Sequence, residues 1–92
     1  MKLKDKKFSI NGVDFEVREM AIVKMLPILP RLEDDDQAQE AQLDIMKLCI
    51  VFEGKPIGDQ VNDLGVSSYL KLAEEVMSIN GLTEVGKDST PT

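Results

Sequence analysis

In the stretch FSINGVDFEV, apolar and polar residues alternate with a period of two. Phe8 and Ile10 precede an Asn-Gly pair, and Val13, Phe15 and Val17 follow it. Successive side chains of a strand point to opposite faces, so the five apolar residues share one face. Asn11-Gly12 suits a two-residue type I′ turn, in which both positions need positive φ. The predicted register sets Ile10 opposite Val13 and Phe8 opposite Phe15. A hairpin alone is marginal in water, so its apolar face calls for a helical cover.

Beyond Arg18 the period lengthens. REMAIVKMLPILPRL predicts a short helix from about Ala21 to Leu26. Pro27 and Pro30 then lack backbone donors and disfavour helix at the residues before them, which predicts a kinked or irregular turn. The acidic run Glu33 to Asp36 reads as a helix N-terminus, where carboxylates cap free N–H groups and complement the dipole. It lacks the spacing of a calcium loop. Ala38, Ala41, Ile45, Leu48 and Phe52, broadened by Met46, Cys49 and Val51, make one stripe. That stripe predicts the longest helix, from Asp36 to about Phe52, with Cys49 a small core residue. EGKPIGD is a loop with an extended segment at Pro56-Ile57. A last helix is expected from Ser67, capped by its own hydroxyl, through Tyr69, Leu70, Leu72, Ala73, Val76, Met77 and Ile79.

Ser-Ile-Asn-Gly occurs again where this helix stops. With Asn80 as the last helical residue, Gly81 takes the left-handed position and Leu82 folds back onto Met77. Flanking periods of two and 3.6 make the two copies a turn and a cap, not a duplication. The resulting fold class is α+β, an N-terminal β-hairpin packed on about three α-helices. Residues 1–6 are expected to be a flexible N-terminus, 7–82 a single small domain, and 83–92 a disordered tail with too little apolar content to pack.

Composition removes whole classes of chemistry. The 92 residues include no His and a single Cys, so Ser-His and Cys-His nucleophile pairs, His-ligated metals and thiolate zinc sites are excluded. Neither Gly54-Lys55 nor Gly86-Lys87 has the spacing of a phosphate loop. Seventeen acidic against eleven basic residues give a net charge of −6, which argues against nucleic acid as a partner. No apolar run approaches the ~20 residues of a membrane span. The lone Cys fits a reducing cytoplasm. Neither an enzyme nor a cofactor or metal site is expected; the chain reads as a binding protein.

DLGVSSYLKLAEEV resembles the acyl carrier signature, in which a serine after Leu-Gly-x-Asp carries phosphopantetheine. Ser68 would be that serine, although Ser67 stands where that family has aspartate and Tyr69 where it has leucine. The N-terminal hairpin has no counterpart there.

A wider resemblance covers nearly the whole chain to Leu82. A hairpin ending FEVREM, in which Phe15 to Glu19 carry the match, a Leu/Pro segment, a helix, the GKPIGD loop and a last helix closing in Asn80-Gly81-Leu82 resemble the tail assembly chaperones of long-tailed bacteriophages and prophages. That resemblance implies a non-enzymatic protein of the bacterial host's cytoplasm, missing from the mature virion. Its implied partners are the tape measure protein, kept in solution, and tail tube subunits, which it helps recruit. A small connector or other virion structural protein is the alternative in the same class. An apolar helical partner calls for exposed, adaptable hydrophobic surface, and Met20, Met25, Leu26 and Leu29 on the proline-interrupted segment are the candidates. Such chaperones are often made in two lengths by ribosomal frameshifting. Gly86-Lys87-Asp88 can be encoded as GGG-AAA-GAY, which contains a slippery heptamer.

Overall fold

The structure, a computed structural model, describes residues 2–82. Strands β1 (Asp5–Ile10) and β2 (Val13–Arg18) form the expected hairpin, with Phe8 opposite Phe15 and Ile10 opposite Val13. Asn11 and Gly12 take φ of 53° and 82°, the left-handed pair that a type I′ turn requires. The ladder reaches further back than apolar alternation suggested. Glu19 N–H donates to the Lys4 carbonyl at 2.8 Å, and Lys4 N–H donates to the Glu19 carboxylate at 3.0 Å. Residues 4–6 are therefore tied into the sheet, which corrects the flexible stretch expected over 1–6. Backbone pairing holds them, and their lysine side chains gave no sign of it.

The larger correction falls at the end of the central helix. Helix α3 covers Ala38–Cys49, and Ile50–Phe52 is strand β3 rather than a last helical turn. Two β-branched residues and a phenylalanine fit a pleated surface better than a helix. Glu53 and Gly54, at φ of 56° and 86°, then make a second tight turn into the two-residue strand β4 (Lys55–Pro56). β3 pairs antiparallel with β2, with Val17 opposite Ile50, and the sheet order is β1-β2-β3-β4. Pro56 lies on the outermost strand, where a missing donor is tolerated. Ile57 N–H closes the hairpin by donating to the Ile50 carbonyl at 2.8 Å.

Two single-turn helices follow β2: α1 (Ile22–Met25) and α2 (Leu29–Leu32). The chain thus resumes helix at Leu29, where an irregular turn was expected. Pro30 fits because it sits in the first turn, where its missing N–H would have had no intrahelical partner. The acidic run also does something other than cap α3, whose N-cap is Gln37 and makes no side-chain bond. The Asp34 carboxylate accepts the Asp36 N–H at 2.8 Å and the Gln37 side-chain amide at 3.2 Å, folding the turn before the helix. After a 3₁₀ segment over Gly58–Asp63, helix α4 runs Val66–Ile79. Its N-cap is Gly65, so Ser67 is not the cap. Its C-terminus follows the expectation: Gly81 has φ of 73°, Gly81 N–H donates to Ser78 and Leu82 N–H to Met77, the paired bonds of a Schellman motif.

The core lies between one face of the sheet and α3 and α4. Val17, Ile45, Met46, Ile50, Leu72 and Val76 are its largest fully buried side chains. Phe15 and Phe52 meet with ring centroids 5.5 Å apart, a separation at which tilted rings attract. Leu48, placed on the inner stripe by periodicity, is 52% exposed, because α3 ends one residue later and β3 supplies the apolar cover instead.

Candidate docking surface

The segment between the sheet and α3 is where the expected patch falls, and the structure divides it. Met25 is buried in the core, with Ile28 beside it in the same cluster. Met20 and Leu29 are half-buried and pack against that core. Of the four candidates only Leu26 is exposed, at 57%. It does not stand alone: Ile22 and Val23, one turn earlier, are 65% and 71% exposed. Residues 22, 23 and 26 are neighbours on one side of a helical turn, so α1 carries Met25 inward and an aliphatic row outward. The exposed apolar row is therefore Ile22, Val23 and Leu26, of which the expected patch held only Leu26. Its signal was present in the i, i+1, i+4 spacing but is too short to show which side faces the core.

This row is held from beneath by a polar contact that sequence reading missed. Asn80 was expected only to help end α4, yet its Oδ1 accepts the Met20 N–H at 2.8 Å. Its Nδ2 donates to the Val76 carbonyl at 2.9 Å and lies 3.6 Å from the Cys49 sulfur. One half-buried amide therefore joins the entry to α1, the last turn of α4 and the end of α3. Arg31 pairs with Asp44 at 3.0 Å and joins α2 to α3. Burial pushes the Cys49 thiol above its ordinary pKa, and the Asn80 amide partly opposes that. A buried, protonated thiol is a core residue, not a nucleophile.

Two other surfaces carry apolar side chains. Val66 and Leu70 are exposed one turn apart on α4, and Leu70 lines a groove of about 520 Å³ with Leu43 and Tyr69. Beneath the hairpin tip, a groove of about 490 Å³ is lined by Ile10, Val13, Phe15, Phe52 and Leu64, with Ser68 at its edge. Ser68, the serine of the carrier-type resemblance, is half-buried there in the first turn of α4. On the opposite face of the sheet, Arg18 Nε donates to Glu16 at 2.9 Å and holds that carboxyl below its usual range. Asn11, Gly12, Asn80 and Gly81 stand where the turn and cap readings put them. Gly86, Lys87 and Asp88, with the tail expected over 83–92, lie outside the described residues. Among the described residues, no group of three or more acidic or thiol side chains could hold a metal ion, and no helix is long and apolar enough to cross a membrane.

No family model matches the chain, and no curated protein or solved structure matches it.

Proposed function

We propose that this chain is a tail assembly chaperone of a long-tailed bacteriophage or prophage. In this reading it is a non-enzymatic binding protein of the host cytoplasm that keeps the tape measure protein in solution and helps recruit tail tube subunits. The observation that carries the proposal is the outward row Ile22, Val23 and Leu26. These are three large aliphatic side chains on a short turn that Pro27 ends. An amphipathic helix presents anchors at i, i+3, i+4 and i+7, and a raised apolar row is a surface such anchors can pack on. The bracket of FEVREM and Asn80-Gly81-Leu82, joined in space through Met20 and Asn80, also supports the reading.

Co-expression with a tape measure segment tests it. Val23→Asp with Leu26→Asp is expected to return that segment to the insoluble fraction while the chaperone's own melting temperature stays within a few degrees. Full solubilisation by the double variant would remove the row from the proposal. Detection of the chain in purified virions by mass spectrometry would favour the connector alternative. The same reading extends to a longer frameshifted product through Gly86-Lys87-Asp88; a gene that spells Gly86-Lys87 as GGC-AAG would end that part.

A further inference from the structure

Strand β1 is one edge of the sheet and, among the described residues, pairs only with β2. The Glu19 to Lys4 bond and the Ile10–Val13 pair at the turn fix which backbone groups face inward. Residues 4, 6, 8 and 10 bond towards β2, so the N–H and C=O groups of Asp5, Lys7 and Ser9 face outward. Among the described residues no side chain or loop donates to or accepts from those groups. This edge is also the basic part of an acidic molecule. Lys2, Lys4, Lys6 and Lys7 are four of eleven basic residues in a chain of net charge −6. Lys6 is taken by Glu75 at 2.9 Å, while Lys2, Lys4 and Lys7 are exposed and make no ion pair among the described residues.

We propose that the β1 edge takes an extended acidic segment of another protein as a fifth strand. Backbone groups of Asp5, Lys7 and Ser9 would supply the ladder, as in other strand additions. Alternation sets the pattern of the guest: an acidic residue beside Lys7 on the open face, and an apolar residue beside Phe8 on the helix-packed face. Asp5 on β1, Asp14 and Glu16 on β2, and Glu53 in the turn after β3 share the open face with Lys7. An added strand lies roughly 10 Å from β2, about one screening length at physiological salt, and Arg18 already engages Glu16. Lys7 is therefore the nearest cation that the guest meets. Lysines also guard edges against pairing, and a guard differs from a dock in how it treats an acidic strand. The proposal goes beyond the chaperone reading and uses a different surface, so either can fail alone.

The test is amide exchange on the full chain with two synthetic octapeptides, one alternating Glu with Val and the other Lys with Val. The Glu-Val peptide is expected to slow exchange at Asp5, Lys7 and Ser9 by about tenfold or more at saturation, and to leave Lys6, Phe8 and Ile10 unchanged. Lys7→Glu is expected to weaken that peptide by about tenfold, and Lys7→Gln by less, with the spectrum of the core unaltered. No added protection at the three amides, equal protection by the Lys-Val peptide, or undiminished binding by Lys7→Glu would each overturn the proposal. So would phosphatidylserine vesicles that shift the Lys2–Lys7 signals where the Glu-Val peptide does not.

Discussion

At residues 9–12, Ser-Ile-Asn-Gly ends β1 and turns the chain into β2; at residues 78–81 the same four letters end α4. The glycines behave alike. Both take positive φ, and a Cβ added to either would meet nothing within 4 Å. The asparagines differ. Asn11 has φ of 53°, is exposed, and serves through its own backbone. Asn80 has φ of −92° at the C-cap, and its side chain reaches Met20, Val76 and Cys49. A glycine's contribution is local and follows from its dihedral angle, whereas an amide's contribution follows from what the fold brings to it. The Schellman turn that Gly81 permits is what lets Asn80 stop α4 beside the entry to α1.

The largest effect that would test this contrast is Asn80→Ala. It leaves the Met20 N–H without its acceptor in a half-buried position and removes two further contacts, so a loss of about 2–3 kcal/mol is expected. Urea unfolding would read it directly, with a midpoint unchanged from the parent as the opposing result. Asn11→Ala should lose about 1 kcal/mol, the cost of a left-handed residue with a Cβ. Equal losses at the two asparagines would mean that the Asn80 contacts contribute nothing beyond backbone preference.

Gly12→Ala and Gly81→Ala come next, each at about 1 kcal/mol. Because neither site crowds the new methyl group, the two should agree within experimental error. A markedly larger loss at Gly81 would show that the Asn80 contacts depend on that cap. Ser9→Ala and Ser78→Ala remove exposed hydroxyls with no hydrogen bond to another described residue, and each should fall within about 0.5 kcal/mol of the parent.

The same division explains what was legible beforehand. The hairpin and the α4 cap could be read because Asn11-Gly12 and Gly81 act through local dihedral angles flanked by clear periods. Strand β3 could not, because Ile50, Val51 and Phe52 prolong an apolar run that periodicity alone cannot assign to helix or strand. Its pairing with Val17 is distant in sequence, and the better hint was Glu53-Gly54 directly after it. The exposed row on α1 was illegible for a related reason. A four-residue helix completes barely one turn, so Met25 and Leu26 were equally plausible as the inward side. The Asn80 contacts were beyond reach altogether, since nothing near residue 80 in sequence names Met20 or Cys49.

The smallest effect ties the comparison to pH. Burial raises the Cys49 pKa in the folded chain, and the Asn80 amide pulls it partly back. The unfolded chain then gives up this proton first, so the native state binds more protons across the interval between the two values. Stability is full below the unfolded thiol's pKa of about 8.5 and falls as pH rises through the folded value. Removing the amide widens that interval, so Asn80→Ala should carry the alkaline decline to higher pH than the parent, beyond its fixed loss at pH 7. Asn11→Ala should keep the parent's slope, and Cys49→Ala should flatten it up to the pH where Tyr69, also raised by burial, begins to ionise. Parallel pH profiles for Asn80→Ala and Asn11→Ala would show that the 3.6 Å approach of the amide to the sulfur has no energetic weight. The second asparagine's reach would then stop at Met20 and Val76.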